Sequence, residues 1–111
     1  MTSYHLLTPD PELLSFNASG IAVVHVQDKK ICITRYNDQW FAFSATCPHA
    51  SGHMDQGFVD AAGNIVCPVH RYRFSLKSGR DTNSEGYHLK TYKLELRGTA
   101  LYVGLQSFNL L

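Results

Sequence analysis

Short runs of β-branched and aromatic residues, separated by polar turns, dominate the first half of the chain. Ile21–Val26 is such a run, and two more follow at residues 30–35 and 40–44. Runs of this length and composition, bounded by turn-forming residues, are typical of β-strands. We therefore predict three consecutive antiparallel strands joined by tight turns.

A related pattern lies near the end of the chain. Residues 89–97 alternate between apolar and charged side chains, a Gly-Thr turn follows, and residues 101–105 alternate again. No segment keeps the spacing of an amphipathic helix beyond a turn or two. The only helix expected is a single turn at residues 9–14, where proline and acidic residues suit a first turn. The pattern predicts an all-β fold.

The middle of the chain is interrupted by turn-forming residues. Glycine and proline recur from residue 46 to residue 86, and they leave room only for short strands. The segments with strand character there are residues 57–60, 64–66 and 73–76.

Length and composition fit one folded domain. The chain has 111 residues, of which 44% are hydrophobic and 17% charged, enough apolar side chains for one core. We predict a single domain over residues 1–111. Its β base is formed by residues 1–45 and 75–111, and a smaller insert at residues 46–74 is carried on it.

Charge and residue usage exclude several function classes. Ten Lys and Arg against nine Asp and Glu give a net charge of +1, without the basic excess of a nucleic-acid-binding protein. No apolar run reaches the length of a membrane span, and the first residues lack a secretion signal. We expect a cytoplasmic protein with no nucleic-acid or membrane partner. Three cysteines do not make a disulfide framework, whereas six histidines are many for this length.

Two short motifs in the insert each pair a cysteine with a histidine. Cys47 and His49 form a C-x-H motif, and Cys67 and His70 form a C-x-x-H motif. Alternate residues of an extended loop point the same way, and a tight turn at Pro68 would bring the second pair together. We expect all four side chains to reach one metal centre, held by a hairpin between the motifs.

Two kinds of metal site use two cysteines and two histidines. A structural zinc site is tetrahedral, and it usually takes both cysteines from one short motif and both histidines from another. A Rieske [2Fe–2S] centre has two cysteines on one iron and two histidines on the other. Each motif here supplies one residue of each type, which favours the iron–sulfur centre and leaves zinc as the alternative.

The insert resembles the Rieske iron–sulfur domain family. That family has a C-x-H motif followed by a C-x-x-H motif at the spacing found here, and Gly57 and Phe74 also match its pattern. The flanking strands agree in order and spacing, so the resemblance extends over most of the chain. It implies a Rieske-like antiparallel β sandwich with a small inserted cluster-binding subdomain.

The resemblance implies one [2Fe–2S] cluster and names its ligands. Cys47 and Cys67 would bind the inner iron as thiolates, and His49 and His70 would bind the outer iron through ring nitrogens. Imidazoles leave the cluster less negative than four thiolates would, so Rieske potentials lie at about −150 to +300 mV, above about −400 mV for plant-type ferredoxins. Both imidazole edges are expected to face solvent.

Departures from the family pattern indicate a subtype. Rieske proteins of respiratory and photosynthetic complexes carry two further cysteines that bridge the ligand loops, and Gly52 and Val69 stand at those positions here. A serine that donates a hydrogen bond to the cluster in those proteins is replaced by Tyr72, which predicts a potential toward the lower part of the range. The pattern resembles the bridge-free ferredoxins that supply aromatic-ring dioxygenases.

Further mismatches lie around the ligands. Ser51 and Arg71 stand where the family commonly has glycine. The loop at residues 82–87 lacks the proline-rich sequence that usually covers the cluster. The resemblance therefore does not specify how this cluster is covered.

The other cysteine and histidines have no ligand spacing. Cys32 lies in an apolar strand pattern and is expected to be a small buried side chain. Tyr72 is expected to flank an exposed ligand, and Phe74 to pack beneath the cluster. Four histidines are expected to be ordinary surface or hydrogen-bonded residues: His5, His25, His53 and His88.

These features predict an electron carrier that does no catalysis by itself. The resemblance implies a ferredoxin that passes single electrons from a reductase to an oxygenase-type acceptor, as a monomer or weak oligomer. Basic residues dominate after His70, so an acidic redox partner is expected to dock near Arg71 and Arg73. The alternatives are the small subunit of a larger oxidoreductase, such as a nitrite reductase, and a zinc-stabilised β domain.

Overall fold

Three antiparallel sheets make up the structure, a computed structural model that describes residues 1–106. Within these residues the sheets have the strand orders β1-β10-β9 (sheet one), β2-β3-β4-β8 (sheet two) and β5-β6-β7 (sheet three). The prediction of an all-β, antiparallel fold is confirmed. The strands are β1 (Thr2–Thr8), β2 (Ile21–Val26), β3 (Lys29–Tyr36), β4 (Gln39–Ser44), β5 (Phe58–Val59), β6 (Asn64–Val66), β7 (Arg73–Ser75), β8 (Thr91–Tyr92), β9 (Leu94–Arg97) and β10 (Ala100–Gln106).

Sheet two is the middle layer of the molecule. Four consecutive residues of β3, from Ile31 to Thr34, are buried, as expected of a strand covered on both faces. Ile31 and Ile33 belong to a core shared with Leu101 and other residues of sheet one. Cys32 points to the opposite side and packs in a second core with Phe74 of sheet three. The expectation that Cys32 is a core residue is confirmed.

The C-terminal strand pattern is divided between two sheets. Residues 89–97 do not form one strand: β8 pairs with β4 at the edge of sheet two, and β9 pairs with β10 in sheet one. The alternation passes through this break because Tyr92 on β8 and Leu94 on β9 both pack against the same core, although Leu96 at the next apolar position is 59% exposed. The pattern therefore predicted β-structure correctly for these residues. It could not show that the chain leaves sheet two and enters sheet one at Lys93.

Two further elements complete the fold. The single helical turn expected at residues 9–14 is a 3₁₀ turn, Pro11–Leu13. Asp10 caps its N-terminus, because the Asp10 carboxylate accepts a hydrogen bond from the Glu12 N–H at 2.9 Å. A second 3₁₀ turn, Met54–Gln56, follows the first cysteine motif and was not predicted. No helix in the described part of the chain is long and apolar enough to cross a membrane.

Sheet three is a small three-stranded unit. The hairpin of β5 and β6, expected between the two motifs, is confirmed, with Phe58 opposite Val66. Gly57 precedes β5, and a Cβ atom there would lie 2.0 Å from the Val66 carbonyl oxygen, so the close approach of the two strands requires glycine. On β7, Phe74 is fully buried and contributes to the same core as the two motif cysteines.

Candidate metal centre

Two loops with one backbone pattern carry the predicted ligands, Cys47 and His49 in the first and Cys67 and His70 in the second. The first loop follows β4, and the second connects β6 to β7. In each loop the cysteine N–H donates to the carbonyl oxygen five residues later, on Gly52 at 2.9 Å and on Tyr72 at 2.8 Å. These closures turn both loops back on themselves at the same end of the molecule.

Each loop contains a left-handed residue at the fourth position after its cysteine. Ser51 has a φ of 53° and Arg71 a φ of 56°, and His70 beside it has a φ of 62°. For residues other than glycine this conformation costs roughly 1–2 kcal/mol. Ser51 and Arg71 are the two positions where the family pattern has glycine. The loops therefore keep the backbone that glycine would favour, at a cost in strain near the proposed site.

The two cysteines lie side by side in the interior. Cys47 is 1% exposed and Cys67 is fully buried. Burial raises the pKa of the Cys67 thiol; a hydrogen bond from the Val69 N–H opposes this, and a hydrogen bond with Cys47 raises the pKa further. Both thiols must lose their protons to act as ligands, and a nearby metal cation favours that loss.

The two histidines lie closer to the surface, but their exposure differs. Their ring centroids are 5.4 Å apart. His70 is exposed, whereas His49 is half-buried because Tyr72 stacks on it and Tyr87 meets it edge-on, with centroids at 3.8 and 4.9 Å. The expectation that both imidazole edges face solvent therefore holds for His70 and not for His49.

The donor set fits a two-iron cluster. The Nδ1 atom of His49 is buried and has no hydrogen-bond partner among residues 1–106, a costly arrangement for a polar atom unless it serves as a ligand. The two cysteines lie side by side in the interior, and the two histidine rings lie 5.4 Å apart nearer the surface. This arrangement provides one pair of like ligands for each iron of a Rieske cluster.

The two loops come close together at the positions where Rieske proteins of respiratory and photosynthetic complexes have bridging cysteines. A Cβ atom built on Gly52 would lie 3.0 Å from both the Cys67 Sγ and the Val69 Cγ2 atoms. Van der Waals contact therefore replaces a covalent bridge here. All three cysteines of the chain are free.

Cys32 and the other histidines do not join this group. Burial, with a smaller contribution from Asp55, raises the pKa of Cys32 to about 12, although Lys30 acts in the opposite direction. A thiol in that state is unreactive at neutral pH. His5, His25 and His53 are not among the residues that contact the two motifs' histidine rings in the described part of the chain, and neither is His88.

Sequence reasoning missed two residues of the loop at 82–87. Glu85 accepts a short hydrogen bond from the Tyr72 hydroxyl, which raises the pKa of Tyr72 to about 12 and keeps it protonated. The Tyr87 ring contacts the His49 ring at a nearly perpendicular angle. The available signal was an aromatic residue in the segment that replaces the expected proline-rich cover. Tyr72 flanks a proposed ligand as expected, but the ligand that it flanks is the half-buried His49.

The basic residues near the second loop differ in their partners. Arg71 is exposed and forms no ion pair with any residue from 1 to 106. Arg73 donates to the Asp60 carboxylate at 3.2 Å. Desolvation alone would raise the pKa of Asp60, but hydrogen bonds from Asn64 and Ala62 and the charge of Arg73 outweigh it and lower that pKa.

Comparisons with known proteins show which proteins this chain is similar to. The model of the Rieske [2Fe–2S] domain family matches residues 11–93. The ferredoxin component of an alkene monooxygenase system from Xanthobacter autotrophicus is 23% identical over 84 residues, 76% of this chain and 69% of that protein.

Solved structures share the fold over nearly the whole chain. The ferredoxin of carbazole 1,9a-dioxygenase from Nocardioides aromaticivorans has a TM-score of 0.76 at 23% identity, over 91% of this chain and 96% of that one. A complex of reduced oxygenase and oxidised ferredoxin in carbazole 1,9a-dioxygenase has a TM-score of 0.72 at 22% identity, over 90% and 91%. A Mycobacterium tuberculosis protein provisionally identified as an NADH-dependent nitrite reductase small subunit has a TM-score of 0.80 at 16% identity, over 97% and 99%.

Proposed function

The chain belongs to the Rieske [2Fe–2S] domain family, and from this premise we propose that it is a ferredoxin-type carrier of single electrons between a reductase and an oxygenase-type acceptor. The observation that carries the proposal is the layered site: two buried cysteines lie behind two histidines, one of which is exposed. A [2Fe–2S] cluster bound there stores one electron at a time. The small all-β scaffold holds the four side chains, and substrate chemistry takes place on a partner.

We propose that Cys47 and Cys67 hold the inner iron, and that His49 and His70 hold the outer iron. The buried thiol pair is shielded from water, as thiolate ligands of an inner metal require. The unpartnered Nδ1 of His49 supports coordination through that nitrogen. The N–H of Val69, which donates to the Cys67 sulfur, would partly offset the negative charge of the bound thiolate.

We further propose that an acidic redox partner docks around the second loop. His70 lies in a run of four consecutive exposed residues, from Pro68 to Arg71, and Arg71 forms no ion pair with any described residue. Arg73 contributes less because Asp60 neutralises it. Small, charge-steered interfaces suit a monomeric or weakly associating carrier that must release its partner quickly. The free cysteines fit a reducing compartment such as the cytoplasm.

Anaerobic purification followed by iron and sulfide analysis tests the proposal. We expect two iron and two sulfide per chain, and a dithionite-reduced electron paramagnetic resonance spectrum with the low average g value of a mixed Cys/His cluster. His70→Ala should abolish or alter that spectrum, because one iron loses a ligand. His53→Ala is the matched control in the first loop, and it should leave the spectrum unchanged. Iron-replete protein without this spectrum would contradict the proposal.

The alternative is a small subunit of a nitrite-reductase-like oxidoreductase. It is favoured by the likeness to the Mycobacterium tuberculosis protein, which is as strong in fold as the likeness to ferredoxins. Purification from the native host discriminates between them. A stable complex with a large flavin- or haem-containing subunit supports the alternative, whereas a free carrier supports the ferredoxin. Colourless protein that contains zinc and no iron would instead establish a zinc-stabilised domain.

A further inference from the structure

Two tyrosines enclose the imidazole of His49. The Tyr72 ring lies 3.8 Å from it, centroid to centroid, at an interplanar angle of 27°, and the Tyr87 ring lies 4.9 Å away at 80°. The two tyrosines also contact each other, at 5.7 Å and 85°. Two aromatic rings therefore cover His49, one stacked and one nearly perpendicular, whereas His70 is exposed and, among residues 1–106, contacts no aromatic ring other than His49.

Hydrogen bonds hold the cover in place. The Tyr72 hydroxyl donates to Glu85, and the Asp81 carboxylate accepts from the backbone N–H groups of Glu85 at 3.1 Å and Tyr87 at 2.9 Å. The Thr82 N–H donates to the Arg73 carbonyl at 3.0 Å, which ties the start of this loop to β7. Both tyrosines are thus anchored to the strand that follows the second ligand loop.

The hydrogen bond to Glu85 also gives the Tyr72 hydroxyl a different partner from the one that the family pattern has at this position. The serine expected at position 72 donates to the cluster, whereas the Tyr72 hydroxyl is directed to a carboxylate in the covering loop. The aromatic ring of Tyr72, and not its hydroxyl, is the part that contacts a proposed ligand. The substitution therefore exchanges a donor for a stacking surface.

We propose that Tyr72, anchored by Glu85 and assisted by Tyr87, is a positioning residue that orients and shields His49, so that the two histidines are inequivalent and His70 is the more open of the two to solvent. The inference rests on the proposed function, since it assigns a role toward the imidazoles that bind the outer iron. Stacking restricts rotation of the His49 ring about its side-chain bonds, and the perpendicular contact of Tyr87 excludes water from the part of the ring that it meets. The cover thus takes the place of the expected proline-rich loop.

Chemical modification of the iron-loaded protein tests the shielding directly. Diethyl pyrocarbonate modifies accessible imidazole nitrogens, and peptide mass spectrometry gives a separate rate for each histidine. We expect His49 to react more slowly than His70, by roughly fivefold for each covering ring, the factor that one aromatic contact of ordinary strength supplies. The exposed His25 on β2 is an internal reference.

Variants separate the stack from its anchor. Tyr72→Ala should bring the rate of His49 close to that of His70, Tyr87→Ala should do so in part, and Tyr72→Phe should keep most of the protection because the ring remains. Tyr4→Ala, on β1 of sheet one, is the control and should change neither rate. Tyr72→Ala should also raise the midpoint potential, because water that reaches the site stabilises the more negative reduced form.

The outcomes distinguish this inference from the proposed function. Iron, sulfide and the reduced spectrum are measured on the same samples, so loss of the cluster in the unaltered protein would contradict the carrier assignment. A loaded protein in which both histidines react equally, or in which Tyr72→Ala leaves His49 protected, would overturn the inference alone. If Tyr72→Ala fails to fold, Tyr87→Ala and Tyr72→Leu, which removes the aromatic stack but keeps bulk, give the same decision.

Discussion

Single residues in the two ligand loops accept strain or close contact so that the loops can meet. Ser51 and Arg71 adopt left-handed backbone conformations without being glycine. Gly52, by contrast, leaves room for the opposite loop, because a side chain at this position would press against the Cys67 sulfur and the Val69 side chain. The sequence comparison singled out all of these positions as departures from the family, and the structure supplies the physical meaning of each.

Gly52→Ala should reduce cluster loading. Its new Cβ atom would lie 3.0 Å from the Cys67 Sγ, so the sulfur of a proposed ligand must move by a few tenths of an ångström. We expect a lower ratio of bound iron to protein and a lower midpoint of thermal unfolding, measured by metal analysis and circular dichroism.

Ser51→Gly is the matched variant in the same loop. Glycine adopts the left-handed conformation of this position without a Cβ clash, so this change should preserve loading and stabilise the loop by about 1 kcal/mol. If Gly52→Ala binds as much iron as the unaltered protein, the contact between residue 52 and the Cys67 sulfur does not limit cluster loading.

Elements differ in how far the local sequence determines them. The strands β2, β3 and β4 were predicted to within one residue, because each follows its neighbour through a short turn and pairs locally. The strand β1 was missed, and β8 and β9 were merged. β1 pairs with β10 at the other end of the chain, and such distant pairing leaves no mark on a local pattern.

Sheet three depends on one carboxylate at its hairpin turn. Asp60 accepts from the N–H groups of Ala62 and Asn64 at 3.0 and 2.9 Å, and from Arg73 on β7 at 3.2 Å. It therefore joins the β5–β6 turn to the third strand of the sheet. The same bonds and charge lower its pKa despite the opposing effect of burial.

Asp60→Asn should weaken the protein at neutral pH and change its acid response. A carboxyl whose pKa is lower in the folded protein contributes stability above its unfolded pKa of about 3.9, and this contribution is lost as the pH falls through the folded value. We expect the variant to be less stable by about 1 kcal/mol at pH 7, with the difference shrinking in acid.

Urea unfolding followed by the fluorescence of Trp40, the only tryptophan, measures this at several pH values. Asp38→Asn is the control, since the Asp38 side chain is 95% exposed and its contact with Arg35 is 3.5 Å long. That pair should contribute little. A difference between Asp60→Asn and the unaltered protein that does not change with pH would contradict the role of the ionised carboxylate.

Across the whole molecule, charge is distributed unevenly around a neutral average. The chain has a net charge of +1, yet the exposed His70 is followed directly by the exposed, unneutralised Arg71 within the described residues. The local field at an exposed redox site governs encounter rates more than the total charge does, because exposed charges are screened beyond about 8–10 Å. We therefore expect the charge of Arg71 to control the rate at which charged partners meet the site around His70.

Arg71→Glu should slow oxidation of the reduced protein by ferricyanide, an anionic electron acceptor. The expected factor is roughly two- to tenfold at low ionic strength, and the effect should fade at high salt. A cationic acceptor such as hexaamminecobalt(III) should respond in the opposite direction. Stopped-flow absorbance gives both rates.

Arg97→Glu makes the same change in net charge at the turn between β9 and β10, in sheet one. It should leave both rates close to those of the unaltered protein. Equal effects of the two variants would mean that total charge, and not the surroundings of His70, controls the encounter.

The sequence by itself determined the fold class, the order of most strands, the two Cys/His motifs and the family, because these depend on local periodicity and on residue types at fixed spacing. Tertiary structure decided which strands share a sheet, that Gly52 touches the opposite loop, and that Arg73 is neutralised while Arg71 is not. It also decided that Tyr72 and Tyr87 close over one histidine and leave the other open. Each of these depends on contacts between segments that are separated along the chain, and such contacts become visible only when the sheets are assembled.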